Sequence, residues 1–573
     1  MICDASRARA ECDISVANIT EAISLLQEGK SPGGDGIPIE FYKLYSNEIA
    51  PILKRVLQKC FFDGKLSRTM KQGIISLLYK GHGARNELKN WRPLTLLNVD
   101  FKILTKILAI RLKSTLKQIV HHDQTCSVPG RDIQDSVMSL YNTIEYMHNR
   151  SISGVIVSVD HKSAFDLIEW PYILKCLRHF GFGQKFISWV AIIYQAGEVN
   201  SRLLVNGFVS QSFDVTRGIR QGCPLSPLLY VAVTEVLSHF VRTNNIVRGI
   251  PMLGVEKKIS KYADDTVFFL QSVVDVEIIF EIMHNYKLAS GSRLTEAKTQ
   301  ILPVGEGAIG VPDHLQEYVV DVLKVYGVYF DANGFQRDEN WHKAQASFEL
   351  LQRTIPPYGI SYEERVQSIN TYFLSTLWYV GHIVRPPEIL FRNFEKAMDR
   401  YIWFPTRKNL VPRKILKLPR SSGGILYPDM DLKLKIFRLA KVIKRALIQN
   451  HNSWSKVFDS FYEQTRNASV YTIGRINVPE FYKELRRAEL FCKYRRINRF
   501  QFLLCGKMFL FARVTTKILY VTAINALLSN NHAIRNKALF WEEKIGMDAR
   551  NFKASWDYAF DKYEDGKAKN IHF

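Results

Sequence analysis

No two cysteines of this sequence stand at C-x-x-C spacing, and no histidines are placed to complete a zinc site with them, although eight cysteines (Cys3, Cys12, Cys60, Cys126, Cys176, Cys223, Cys492 and Cys505) are scattered along the chain. That argues against a zinc module and a disulfide framework alike, and reduced, mostly buried thiols are expected. Long apolar runs are missing too: nothing approaches the roughly 18 uninterrupted apolar residues that span a bilayer. The opening MICDASRARAECDIS lacks the apolar core of a secretory signal. The expectation is an intracellular protein with no membrane association. Internal repeats and low-complexity tracts are absent, which argues against a solenoid or a solvated linker protein.

Acid is the scarcer charge. Asp and Glu number 55 against 78 Lys and Arg, a formal net charge of +23. That excess suits a polyanion, either nucleic acid or an anionic membrane surface, and the missing membrane span favours nucleic acid. The hydrophobic share of 47% and charged share of 23% are those of an ordinary folded protein. A chain of 573 residues is too long for one core, so two or three packed units are expected.

Apolar spacing at Ile19, Ala22, Ile23 and Leu26 predicts helices over residues 13–65, interrupted by the loop SPGGDGIP from Ser31. GIISLLYK from Gly73 reads as a strand, and NWRPLTLLN as a turn into the long helix of FKILTKILAIRLKSTLKQIV. GVIVSVD is a buried strand, with a helix from about Pro171. RLLVNGFVSQSFDV is a hairpin through Asn206-Gly207, and RGIRQGCPLSP opens the helix LLYVAVTEVLSHFV. KISKYADDTVFFL is a second hairpin. This mixture predicts an α+β core, followed beyond Glu339 by almost wholly helical sequence.

Asp160 closes the apolar run Val155, Ile156, Val157, Val159, where a lone carboxylate would be costly to bury. Asp264 and Asp265 stand between Tyr262-Ala263 and the β-prone Val267-Phe268-Phe269. Because side chains alternate along a strand, adjacent carboxylates converge on one ligand only near a turn. Three of them together repel by roughly 4 kcal/mol per pair at about 4 Å and an effective dielectric near 20. Hard oxygen ligands of this kind suit magnesium, and two such ions serve in-line phosphoryl transfer. An Asp-Asp pair by itself is far more often a solvated turn.

The ordered set NWRPLTLLN, SVDHKSAFD, GIRQGCPLSPLLY and KYADD resembles the reverse transcriptase domain of LINE-type non-LTR retrotransposons, from about Gly29 to about Phe404 and more weakly beyond. The resemblance implies a right-hand polymerase, an RNA-directed DNA polymerase that extends a primer 3′-hydroxyl. Asp160, Asp264 and Asp265 would be its catalytic metal ligands for two Mg2+, with Mn2+ as a substitute, and the His161 main-chain carbonyl would be a further ligand. Phe165, otherwise a core ring, would lie under the incoming sugar. Gln221 and Gly222 would lie against the template base and nucleotide, where glycine permits close approach. Lys80 and Arg92, otherwise a solvated basic face, would grip the triphosphate. Lys298 would protonate departing pyrophosphate, although Thr295 stands where the family often has asparagine. Asp166 is read as structural. Tyr326 and Gly327, in LKVYGVYF, would belong to a primer-gripping hairpin.

The implied organisation is an N-terminal helical extension with an extra finger motif over 1–70, fingers over 71–153, palm over 154–335, helical thumb over 336–404 and a basic α-helical region over 405–573. In the last, Lys493, Tyr494, Arg495, Arg496 and Arg499 interleave cations with an aromatic, which suits phosphate contact and stacking on a single strand; a solvated helix face is the alternative. Implied partners are an RNA template, a DNA primer or target and dNTPs, in a cytoplasmic ribonucleoprotein and the nucleus. Such elements commonly carry an endonuclease and often a Cys/His knuckle. Neither is found in this sequence, so nicking is expected from elsewhere. Group II intron-type enzymes share YADD, and a domesticated nucleic-acid-binding protein without catalysis is a third possibility.

Overall fold

The computed structural model describes residues 1–529 except 82, 196, 198, 296–297, 306–310, 336, 406–410, 419–423, 448–452, 470, 497–500 and 511–513. The chain divides into two compact units, Met1–Gly327 and Val328–Phe573.

In the first unit, Ser15 caps helix Val16–Ser24 (α1): its side chain accepts from the Asn18 N–H while the Asn18 side chain accepts from the Ser15 N–H. Ile19, Ala22 and Ile23 face the core as their spacing predicted. The SPGGDGIP loop follows. A Cβ on Gly33 would lie 2.0 Å from Asn98 Oδ1, so only glycine fits. Helix Ser46–Asp63 (α2) buries Ala50, Leu53, Leu57 and Cys60.

Strand Gln72–Tyr79 (β1) pairs antiparallel with Trp91–Leu97 (β2), in register Tyr79↔Trp91 and Gly73↔Leu97. NWRPLTLLN is therefore a strand and not the expected turn. Pro93 is tolerated because β2 is the edge of its sheet, where a missing N–H breaks no ladder. Helix Val99–Ile119 (α3) then buries Phe101, Leu104, Leu108 and Leu112, and helix Ile133–Asn149 (α4) starts from a capping box of Asp132 with Asp135.

Strand Gly154–Val159 (β3) is buried along its whole length. It reads as a continuous apolar run because it is interior to its sheet, with strands on both sides. Two-residue β4, His161–Lys162, continues it. Strand Asn200–Val205 (β5) runs parallel to β1 and returns to Phe208–Val209 through Asn206 and Gly207, both with positive φ, as the Asn-Gly signal predicted. Helix Ser226–Thr243 (α5) leads to the hairpin Ile259–Tyr262 (β6) and Asp265–Leu270 (β7), then to Arg293–Leu294 (β8) and Gln300–Val304 (β9). The central sheet has the order β6-β7-β3-β9, with each adjacent pair antiparallel. The unit is α+β.

The second unit carries helices Arg337–Thr354 (α6), Glu388–Ile402 (α7), Met430–Leu447 (α8) and Glu480–Phe491 (α9). Phe348 packs against Phe394 with centroids 4.8 Å apart, and Phe373 against Tyr401 at 4.7 Å. It is not wholly helical. Arg495–Arg496, Gln501–Leu504 and Lys507–Leu510 form a small antiparallel sheet, so a region expected to be α-helical holds short strands, one of them within the basic tract. Its Phe502 and Leu504 are fully buried against α8 residues such as Ile436 and Leu439, a cluster that needs a sheet's alternation rather than a helix's stripe. Among the described residues no helix is long and apolar enough to cross a membrane.

Candidate active site

The β6–β7 hairpin turns through Ala263 and Asp264, with Tyr262 opposite Asp265. Ala263 takes a left-handed φ of 54°, unusual for a residue with a Cβ. The register Val159↔Thr266 puts the end of β3 beside the start of β7, so Asp160 falls next to the turn. Three carboxylates from distant parts of the sequence thereby face one another. Asp265 shows the consequence: burial, then the charges of Asp264 and Asp160, push its pKa up to about 6. Asp264 is raised as well, by burial first and then by Asp160.

Cations offset part of this. The Lys298 ammonium lies 2.6 Å from Asp160 Oδ2, and Lys261 of β6, fully buried with no hydrogen-bond partner on its Nζ among the described residues, lies close enough to Asp264 to hold that carboxyl down. Burial pushes Lys261 down to about 8, against the pull of Glu235 and Asp264. The Asp160 carbonyl accepts from the Thr295 N–H at 2.8 Å. In the β4–β8 pair the next carbonyl, that of His161, therefore points away from β8. The His161 imidazole is buried, 3.0 Å from Ser292 Oγ, and burial holds its pKa down near 3, so the ring is neutral.

The loop before α5 reaches the same region. Gln221 Nε2 donates to Asp166 Oδ1 at 3.2 Å, and the Gln221 carbonyl accepts from the Thr95 N–H at 2.8 Å. Asp166 thus anchors Gln221, in keeping with a structural role. Gly222 has φ of 111°, and a Cβ there would meet Thr95 O at 2.5 Å. Gly222→Ala is expected to cost about 2–3 kcal/mol, combining positive φ with a backbone clash. Gly207→Ala, also at positive φ but with nothing within 4 Å, should cost about 1 kcal/mol. Thermal melting of the two variants checks this; equal shifts would mean the loop gives way without strain.

Phe165 is partly buried and stacks on Tyr230, with centroids 5.0 Å apart and planes at 19°. Tyr230 stands in PLSPLLY, where the resemblance implies no role for it. It is fully buried, its hydroxyl has no partner among the described residues, and all three carboxylates raise its pKa on top of burial. Lys261 was missed in the same way. For Tyr230 the signal available was a polar group inside an apolar string, which is weak by itself; Lys261, between Ser260 and Tyr262, offered none.

Other assigned residues lie elsewhere. Lys80 and Arg92 are exposed at the outer end of the β1–β2 hairpin, where Lys80 Nζ donates to the Lys89 carbonyl at 2.6 Å. No described hydrogen bond or ion pair joins them to the carboxylates. Tyr326 and Gly327 form a turn with φ of 52° and 76°. Tyr326 is buried, its hydroxyl 3.3 Å from Ser260 Oγ, while Gly327 is exposed. In the second unit, Lys493 and Arg496 are exposed. Tyr494 packs its ring against Phe502 at 5.6 Å. Arg495 belongs to the small sheet, and Arg499 lies outside the described residues.

The carboxylate donors, together with the His161 carbonyl, are hard oxygen ligands whose mutual repulsion is only partly offset by Lys298 and Lys261, which fits divalent cations. They are not drawn onto one point: among the described residues, the group of three acidic, His or Cys side chains whose ligand atoms all lie within 4.8 Å is His121, His122 and Asp123. There, both Asp123 oxygens are already engaged, one by Lys257 Nζ at 2.7 Å and the other by His121 Nδ1 at 2.8 Å. That group is an ion-pair network.

Residues 80–327 match the family described as reverse transcriptase (RNA-dependent DNA polymerase). The chain is similar to the transposon TX1 uncharacterized 149 kDa protein of Xenopus laevis, 28% identical over 82% of this chain and 36% of that protein. It is also similar to the retrovirus-related Pol polyprotein from type-2 retrotransposable element R2DM of Drosophila melanogaster, 22% identical over 76% of this chain and 41% of that one. The chain spans well under half the length of these relatives. Among solved structures, telomerase from Candida albicans in complex with a telomeric RNA fragment aligns over 81% of this chain and 73% of that one, with 10% identity and a TM-score of 0.37.

Proposed function

We propose that this chain, which contains a reverse transcriptase domain of the non-LTR retrotransposon kind, acts as an RNA-directed DNA polymerase extending a primer 3′-hydroxyl. The observation that carries the reading is the placement of Asp160 beside the Ala263-Asp264-Asp265 turn, fixed by the Val159↔Thr266 register. Asp160, Asp264, Asp265 and the His161 carbonyl would hold two Mg2+, or Mn2+ in their place. Bound there, such ions lower the energy of the attacking and leaving oxygens in phosphoryl transfer.

The chain's own residues do the rest. Phe165, backed by Tyr230, would set the floor of the sugar site and collide with a 2′-hydroxyl. Gln221 and Gly222, held by Asp166 and Thr95, would form the surface on which the nascent base pair is judged. Lys298, hydrogen-bonded to Asp160, would give up a proton to pyrophosphate. Lys80 and Arg92 would reach the triphosphate from the hairpin end. On this reading residues 71–153 are fingers, 154–335 palm and 336–404 thumb. The template is RNA, the primer the 3′-end of nicked DNA and the substrates dNTPs, met in a ribonucleoprotein of cytoplasm and nucleus.

Primer extension on RNA and on DNA templates with Mg2+ tests this. Template-dependent dNTP incorporation on RNA is expected. Tight RNA binding without incorporation, in Mg2+ or Mn2+, would instead make the chain a silent nucleic-acid-binding protein.

A further inference from the structure

Away from the carboxylates, the first unit holds a cavity of about 1060 Å³ to which α2, the segment 65–71 and the first residues of β1 and β5 contribute. Helix α2 is two-sided. Leu53, Leu57 and Cys60 turn to the core, while Ile52, Arg55, Val56 and Lys59 recur at helical spacing along the cavity. Six cations line the space, Arg55, Lys59, Lys65, Arg68, Lys71 and Arg202, against one acid, Asp63. That acid is already paired with Lys59 at 2.9 Å. Arg55, Lys65, Arg68 and Arg202 make no side-chain hydrogen bond or ion pair among the described residues.

So many uncompensated cations around one concavity focus a positive potential that an anion relieves. The exposed Ile52 and Val56 between them supply apolar surface of the kind a sugar or base covers and a free inorganic ion does not. None of the carboxylates lines the cavity. It is nevertheless tied to the loop before α5: the buried Arg220 guanidinium donates to the carbonyls of Lys71 and Asn200, both lining residues, and the next residue is Gln221.

We propose that this cavity binds the phosphodiester backbone of a single-stranded nucleic-acid segment, at a place separate from the carboxylate centre. The site is a matter of binding, and it stands whether or not the chain copies RNA. Arg55, Arg68 and Arg202 contact phosphates, and Ile52 and Val56 lie against the sugars or bases between them.

The test is fluorescence anisotropy of the full chain with a 20-nucleotide single-stranded RNA and the DNA of the same sequence, between 50 and 200 mM salt. It compares wild type, the triple variant R55E/R68E/R202E, and a control triple variant K175E/R178E/K287E, which makes the same charge change on exposed residues elsewhere in the first unit. The cavity variant should bind at least tenfold more weakly, and its log–log salt slope should fall by about 2, at roughly 0.7 per phosphate contact for single strands. The control should lose threefold or less. A loss on RNA alone, or on both, supports the site and tells which strand it takes. Equal losses in cavity and control variants overturn it. Acetylation footprinting of the wild type gives a second readout that needs no variant to fold: Lys59, Lys65 and Lys71 should be protected by the oligonucleotide. Protection by a poly-glutamate peptide but not by RNA or DNA would mean an acidic protein partner and would also overturn the proposal.

Discussion

Asp265→Asn should lower the rate of primer extension on the order of 10³-fold, about the effect of removing one preorganised electrostatic group from a reaction centre. Asparagine keeps the volume of the side chain and takes away its charge, so the hairpin can keep its register while one of the three carboxylates proposed as metal ligands is lost. The neighbours amplify the effect. Asp264 and Asp160 are close enough to raise the Asp265 carboxyl, and that proximity is what a pair of divalent cations would exploit. Affinity for RNA should stay within about threefold, since a lost negative charge does not weaken a polyanion's binding. Asp166→Asn is the contrast: its carboxylate holds Gln221 at 3.2 Å, and a neutral acceptor can still do so, so about tenfold or less is expected. An Asp265→Asn enzyme retaining a tenth of the wild-type rate would remove the metal role from that residue.

Asp123→Ala should destabilise the first unit by about 3–5 kcal/mol, the usual cost of breaking a buried ion pair from one side. Lys257, 3% exposed, has its ammonium 2.7 Å from Asp123 Oδ1 and would be left buried and charged. The Asp123 carboxyl shows how the balance lies. Burial pushes it up, but Lys257 foremost, then the His121 hydrogen bond and the adjacent histidines, hold it well below the usual carboxylate range. Its backbone matters as well, because the Asp123 carbonyl accepts from the Lys261 N–H at 2.8 Å and Thr125 donates to the Lys261 carbonyl at 3.1 Å. The segment braces the edge of β6, the strand that leads into the Asp264-Asp265 turn. A drop in melting temperature of roughly 5–10 °C is expected, with a loss of extension activity at temperatures where the variant is still folded. Asp123→Leu with Lys257→Met, which removes both charges, should recover most of the stability. If the double variant melts no higher than Asp123→Ala, the ion pair is not what the site contributes.

The parts of the fold written in local pattern could be read directly. The two hairpins announced themselves by Asn206-Gly207 and by the short turn between β-prone runs, and the helices by apolar spacing and caps such as Ser15 with Asn18. NWRPLTLLN failed because proline and asparagine are turn signals, and only sheet position tells whether a missing N–H matters. The short strand at Arg495–Arg496 was not legible for a related reason: charge and aromatic content fit a helix face or a strand equally, and the buried Phe502 and Leu504 beside it decide for the strand. That the Tyr326 side chain is buried was not legible either, because burial depends on what packs over a residue.

What the sequence determined by itself was the chemistry on offer: Asp160 at the end of an apolar strand, the Asp264-Asp265 pair at a turn, glycine where backbone must approach closely, and a surplus of cations for a polyanion. These are properties of residue type and short spacing, and they survive without coordinates. Tertiary structure decided which of those groups meet. The strand register that sets Asp160 beside the hairpin, the Lys261 and Tyr230 side chains buried against the carboxylates, the Asp123–Lys257 pair under the edge of β6 and the cationic cavity beside α2 all join residues far apart in the chain. Such meetings are set by the packing of whole elements, and the energies involved, of burial and of charge on charge, depend on distances that no local pattern encodes.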